Sequence, residues 1–390
     1  MDDKNDQIIA FFDTLLEHST PDRPMWNVEH ILENWQPKWN YIDGCMIKAV
    51  LDMYHVTRNQ KYFDFAQTFI DFYVSEEGNI LGYDPKEYNS DSVNEGKVLF
   101  DLYHLTGNEK YKQAIEGIYA QLQTHPRLTK GNFWHKKIYP NQIWLDGLYM
   151  VSPFYMQYDM KFNKKANYRD IFVQFKNVHE LMRDKKTGLY FHGYDETKSM
   201  FWACQTTGLS KNHWTRSMGW FAMALVDTIE QLDEQLFFEY ETLVTYLKDL
   251  LYALDKNRDQ ETYLYWQVTD KGDQPGNYLE TSGSCAIAYA MMKGARLGYV
   301  PVYYYDQGKQ TFDAVVEHKL VTENGQFLLK DICLVAGLGG MAGKGDYKER
   351  DGTFEYYISE PRVHNDAKGV APFLFSYAEV LHHEKNNEVG

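Results

Sequence analysis

The sequence has little cysteine, no concentrated positive charge and no long apolar run, and each shortage removes a class of protein. Its four cysteines, Cys45, Cys204, Cys285 and Cys333, stand far apart with no C-x-x-C spacing. Neither a zinc cage nor a disulfide framework is expected, and the four read as reduced core thiols. No metal site and no cofactor is predicted. A bilayer span needs about eighteen consecutive apolar residues, and none occurs. The opening MDDKND, followed by the amphipathic IIAFFDTLLEH, lacks the basic n-region of a secretory signal, so a cytoplasmic protein is expected. The formal net charge is −15 with no Lys/Arg-rich run. Nucleic acid and anionic membranes are therefore not expected as partners, because phosphate binding needs a basic footprint. An acidic small molecule would need a local cationic pocket.

What is present is apolar and aromatic. The chain has 390 residues, 44% of them hydrophobic, with 31 Tyr, 22 Phe and 9 Trp, enough for a large core or for flat platforms under sugar rings. The segment DMYHVTRNQKY from Asp52 recurs as DLYHLTGNEKY from Asp101, identical at seven of eleven positions and 49 residues on. Each copy ends one apolar-periodic segment, crosses a polar turn and enters another, so one repeat is a pair of helices. The same pattern recurs as a glycine opening an apolar segment at Gly44, Gly96, Gly147, Gly219, Gly283 and Gly369. These six segments are apolar nearly all round, as inner helices are, whereas intervening ones such as ETLVTYLKDLLYAL are amphipathic. Six hairpins in a closed double ring follow: an all-α, single-domain chain over 1–390, with a loose polar tail at 382–390. The β-like or irregular stretches GLYFHGYDE, ETYLYWQVTD and FEYYISEP fall in the connections.

If the inner helices run the same way, their N-termini converge on one face. At or just before the six glycines stand Trp39, Tyr41 and Asp43; Asp91 and Asn94; His135 and Asp146; Trp214 and Arg216; Thr281 and Ser282; and Lys368. For any one Asp, Asn, Ser or Thr at a helix start, capping exposed N–H groups is the commoner role. Carboxylates, a guanidinium, an imidazole and indoles on one rim are the mixture that a sugar site needs.

Several segments also carry a family resemblance. FWHKKIYPNQIWLDGLYMVSPFYMQY from Phe133, GLYFHGYDE from Gly188, HWTRSMGW from His213, LETSGSCAIAYAM from Leu279 and DGTFEYYISEPRVHNDAKGVAPF from Asp351 resemble the unsaturated rhamnogalacturonyl hydrolases of glycoside hydrolase family 105. They are similar also to the unsaturated glucuronyl hydrolases of family 88. The resemblance implies an (α/α)6 barrel, in agreement with the six starts. It implies that Asp146 is the catalytic aspartate and Asp91 the second active-site aspartate. Tyr41, His135, His192, Trp214, Arg216 and Trp220 match positions lining the substrate pocket, although Trp220, inside an apolar segment, also suits packing.

The implied substrate is a small acidic oligosaccharide whose terminal uronate carries a C4=C5 double bond. Protonation at C4 and addition of water at C5 would release the next sugar, so the rules linking carboxylate separation to inversion or retention do not apply directly. Asp146 would have to be protonated first, with burial and the charge of Asp91 expected to raise its pKa. Two other readings compete: a sugar epimerase or isomerase using His135 with His192, and a non-catalytic carbohydrate-binding protein, which the Asp91 and Asp146 pair disfavours.

Overall fold

The computed structural model describes residues 3–340 and 350–389. Each of the six glycine segments is a helix: Tyr41–Thr57, Lys97–Thr106, Asp146–Phe162, Thr215–Glu230, Thr281–Arg296 and Ala367–Val389. Neighbours in this series pack side by side, the second and third joined through the turn Asp91–Asn94 and the Phe100–Phe154 ring pair, and the last returns against the first, closing a ring. Outside them lie Asp3–Glu17, Gln60–Tyr73, Glu109–Thr124, Tyr168–Met182, Phe237–Asp255 and Tyr303–His318. The fold is an all-α (α/α)6 barrel. A continuous apolar core runs from Ile8 on the first outer helix to Val380 on the last inner one.

The repeat seen in sequence is a turn with a defined chemistry. Thr57 and Thr106 donate their hydroxyls to the carbonyls of Met53 and Leu102, and their oxygens accept the N–H groups of Asn59 and Asn108. The asparagine side chains then cap the following helices at Lys61 N and Lys110 N. The residue between, Arg58 or Gly107, takes the left-handed conformation that stops the preceding helix.

Several of the recurring glycines mark close approaches between successive repeats. A Cβ on Gly44 would lie 2.5 Å from the Cα of Glu95, and one on Gly283 would lie 2.6 Å from Thr215 Cγ2 and 2.9 Å from Arg216 N. Larger residues would push the ring open at its active rim. Within the core the Tyr149 and Trp220 rings of the third and fourth inner helices stack 5.0 Å apart, with Lys97 Nζ 3.4 Å from the Tyr149 centroid.

Some expectations change. FEYYIS is a helical turn, Phe354–Ser359, because the Thr353 hydroxyl caps it at Tyr356 N. ETYLYWQVTD forms only isolated bridges, Trp214 to Val268 and Trp266 to Leu279, whereas Gly193–Asp195 is a true strand, paired antiparallel with Gln142–Trp144. The polar tail does not loosen at His382: the last inner helix continues to Val389, with His383 stacked 4.0 Å from Tyr305. Three cysteines are buried, but Cys204 is exposed, and hydrogen bonds from Thr206 and Thr207 lower its thiol to about 6. No helix among the described residues is long and apolar enough to cross a membrane.

Candidate active site

All six inner helices point their N-termini at one mouth of the barrel, where a cavity of about 650 Å³ opens. Tyr41, Asp91, His135 and Asp146 all line it, together with Lys136, Tyr139, Trp144, Met150 and Arg350. The opposite mouth, formed by the C-terminal ends, is a separate well lined by paired charges such as Lys293 with Asp227.

Asp146 is the first residue of the third inner helix. The antiparallel pairing of Gln142–Trp144 with Gly193–Asp195 brings His192 beside it, with Leu145 N donating to His192 O at 2.9 Å. His192 Nε2 lies 3.2 Å from Asp146 Oδ2. Among the described residues, neither atom makes a well-aligned hydrogen bond, with the other or elsewhere, so the pair is a close contact of two buried polar atoms. Burial pushes the Asp146 carboxyl up, but the adjacent His192 and the more distant His135 outweigh it and hold the group below the usual carboxylate range.

Asp91 opens a single helical turn, Asp91–Asn94, ahead of the second inner helix. Its Oδ2 is 2.5 Å from Lys136 Nζ and its Oδ1 is 3.8 Å from His135 Nε2. This corrects the expectation that Asp91 raises the pKa of Asp146 as a like charge. Lys136 neutralises Asp91, and His192 sets the character of Asp146. Lys136 in turn is held charged: burial lowers its pKa, and Asp91 more than restores it.

His135 Nδ1 is 3.1 Å from Ser90 Oγ, and burial pushes the ring down to about 4. It is neutral near pH 7. Its ring belongs to a stack, 4.5 Å from Trp144, which lies 4.6 Å from Tyr139. Tyr41 presents its phenol to the same cavity, with burial pushing its pKa far up.

Four of the expected pocket residues sit behind the wall. Trp214 is buried and donates its indole N–H to Gln267 Oε1 at 3.0 Å. The Arg216 guanidinium donates to the carbonyls of Cys333 at 2.5 Å and Leu334 at 3.4 Å and to Ser282 Oγ at 3.3 Å. It props up the chain segment that forms one cavity wall, since Leu334 lines the cavity. His192 is fully buried and reaches the cavity only through Asp146, and Trp220 is core, stacked on Tyr149.

Other rim residues are structural. Asp43 accepts from the Trp26 indole at 2.9 Å, Asn27 at 3.2 Å and Asn40 at 2.6 Å. Lys368 is buried between Glu29 and Asp366. Ser282 donates to Glu280, whose carboxylate caps the fifth inner helix at the N–H groups of Ser282 and Gly283.

The residues missed in sequence, Lys136, Trp144 and Arg350, had only weak signals there. Lys136 follows His135 and Trp144 stands two before Asp146, but Arg350 lies in an irregular stretch with no pattern.

The sequence model described as Glycosyl Hydrolase Family 88 matches residues 19–383. Among solved structures, a family 105 glycoside hydrolase of C. acetobutylicum ATCC 824 is 40% identical with a TM-score of 0.85, over 95% of this chain and 99% of that one. The unsaturated rhamnogalacturonyl hydrolase YesR of Bacillus subtilis (strain 168) is 27% identical over 264 residues, 66% of this chain and 72% of that protein. An unsaturated glucuronyl hydrolase of Bacillus sp. GL1 shares the fold at 13% identity, with a TM-score of 0.59 over 88% of this chain and 86% of that one.

Proposed function

The chain belongs to glycosyl hydrolase family 88 and its relative family 105, and from that premise we propose that it hydrolyses short oligosaccharides ending in a C4=C5 unsaturated uronate. The observation that carries this reading is the placement of Asp146, paired with His192 at 3.2 Å, at the floor of a cavity that also holds Asp91. We read residues 1–390 as one catalytic domain.

The substrate double bond is an enol ether, electron-rich at C4. The Asp146 carboxyl delivers its proton to C4, leaving positive charge shared between C5 and the ring oxygen. Water adds at C5 and gives a proton to the Asp146 carboxylate. The hemiketal so formed opens to a C5 ketone, and the hemiacetal left at C1 expels the neighbouring sugar. Asp146 ends the cycle protonated, as it began.

A carboxyl held below its usual range must be recharged at neutral pH. The substrate supplies the means: its own carboxylate enters beside Asp146 and excludes water, and both effects raise proton affinity. Lys136 and Arg350 line the cavity, each beside a carboxylate, Asp91 at 2.5 Å and Glu360 at 3.6 Å, and offer the substrate carboxylate N–H donors that it can share with those partners, a task Arg216 cannot perform from behind the wall. Tyr139, Trp144 and His135 form a flat surface suited to a planar unsaturated ring.

The test is loss of the enol-ether ultraviolet absorbance when lyase-generated disaccharides are added. Wild type is expected to abolish it, and Asp146→Asn to fold normally with turnover reduced by roughly 10²–10⁴-fold or more. No absorbance change across rhamnogalacturonan- and glycosaminoglycan-derived substrates refutes the reading, as does an active Asp146→Asn.

A further inference from the structure

His192 can support Asp146 in either of two tautomers, and the structure contains a group that chooses between them. Tyr357, fully buried on the helical turn Phe354–Ser359, places its hydroxyl 2.8 Å from His192 Nδ1. Among the described residues the hydroxyl has no other hydrogen-bond partner. Burial and the nearby Asp146 charge push the phenol far above its ordinary pKa, so its proton stays in place. A buried O–H with a single acceptor in reach donates to it. Nδ1 is then an acceptor, and the ring's N–H lies on Nε2, facing Asp146 Oδ2.

The support is rigid. The Tyr357 carbonyl accepts from Gln267 Nε2 at 3.0 Å, and the same amide's oxygen holds the Trp214 indole at 3.0 Å. The Trp214 ring lies 4.8 Å from His192 and 6.1 Å from Tyr357, while Trp144 meets His192 edge-on at 5.6 Å. Charged and titratable neighbours are few. Asp146 faces Nε2, His135 approaches from the loop ahead of the third inner helix with Asp91 and Lys136 beyond it, and Cys333 and Asp351 act on Tyr357 from the far side.

Resting on the reading of Asp146 as the acid, we propose that Tyr357 is a positioning residue that fixes His192 as the Nε2–H tautomer, so that the catalytic proton resides on Asp146 and not on the imidazole. A second ring proton would have to enter at Nδ1. It would turn Tyr357 from donor to acceptor and strand a buried phenol proton. The incoming proton therefore goes to the carboxyl, the group that faces the substrate. Once Asp146 has given that proton to C4, Nε2–H stabilises the carboxylate that must take the next one from water. Trp214 and Gln267 act one step further back, by holding Tyr357.

The test begins with side-chain ¹⁵N spectra of the substrate-free, full-length protein near neutral pH, with the His192 signals assigned by their loss in His192→Gln. An acceptor-type Nδ1 and a protonated Nε2 are expected; a protonated Nδ1 overturns the proposal without any variant having to fold. Tyr357→Phe, which keeps the ring, is expected to lose the single tautomer and to displace the pH optimum. It should lower kcat about 10- to 100-fold with KM within about twofold. A Phe variant with the wild-type kcat profile against pH also overturns it. These outcomes are separate from the Asp146 reading, which fails if Asp146→Asn retains turnover, whatever the tautomer of His192.

Discussion

Replacing Gly283 by alanine tests whether the inner-helix glycines are spacers. The added Cβ would stand 2.6 Å from Thr215 Cγ2, 2.9 Å from Arg216 N and 3.0 Å from Thr215 C. Two of those atoms are backbone, so no rotamer change relieves the contact, and the fourth and fifth inner helices must part. Overpacking of this kind costs about 1–3 kcal/mol, and with two backbone atoms in contact the cost falls at the upper part of that range, above the ~1 kcal/mol that alanine gains over glycine in a helix. Gly117, midway along the outer helix Glu109–Thr124, gives the control, because a Cβ there meets nothing within 4 Å. For a chain of 390 residues the unfolding entropy is about 0.8 kcal/mol/K, so the net loss of about 1–2 kcal/mol expected where backbone atoms block relief should make Gly283→Ala lower Tm by about 1–2.5 °C. Gly117→Ala should raise it by about 1 °C. Differential scanning calorimetry at one scan rate, with ligand absent, measures both. If the two variants shift in the same direction, or Gly283→Ala leaves Tm unchanged, close approach is not why glycine stands there. Because Thr215 and Arg216 carry the strain, Gly283→Ala should also lower kcat/KM, and Gly117→Ala should not.

Lys136→Met leaves Asp91 as an uncompensated carboxylate facing an anionic substrate, and KM should rise by about tenfold or more; initial-rate kinetics with an unchanged KM reject that electrostatic role. His192→Gln removes the main group holding Asp146 down, so burial then dominates. The limb of the kcat/KM profile that reports loss of the Asp146 proton should move to higher pH, and an unmoved limb refutes the pairing. Asp43, raised by burial to about 6 from 3.8, binds its proton more tightly folded than unfolded. The stabilisation is complete below about pH 4 and is lost as pH rises through about 6, a change of about 3 kcal/mol. Urea denaturation at pH 5 and 7.5 should show this slope in wild type and a flatter one in Asp43→Asn; equal slopes refute the assignment.

The barrel was legible because its signals are local and repeated. Thr57 and Asn59, Thr106 and Asn108, and Gly44, Gly219 and Gly283 each act within a few residues or against a neighbour one repeat away, so their spacing survives in the one-dimensional pattern. Tyr41, Asp91, His135 and Asp146 were legible for the same reason: each stands at or just before the start of an inner helix, and the ring brings those starts together. What determines the state of these residues was not legible. Whether Asp91 acts on Asp146 or is neutralised depends on Lys136, and lysines at other positions look no different in sequence. FEYYIS reads as strand by composition, yet its cap makes it a helical turn, and that turn carries Tyr357 to a histidine 165 residues away.

Placement of the reactive groups and control of their protons thus arise from different parts of the chain. The inner-helix starts deliver the carboxylates to the mouth of the barrel. The irregular connections deliver the groups around them: Lys136 and His192 from the loops flanking the third inner helix and its outer partner, Leu334 and Tyr357 from the segments before the sixth. Arg216 joins the two sets, since it starts an inner helix yet gives its donors to Cys333 and Leu334. A conservative change at Arg216 should therefore disturb the wall before it disturbs the carboxylates, because its guanidinium fork, and not its charge alone, fixes those carbonyls. A change in the connections therefore reaches the proton chemistry as well as the cavity wall, while the ring keeps the carboxylates in place.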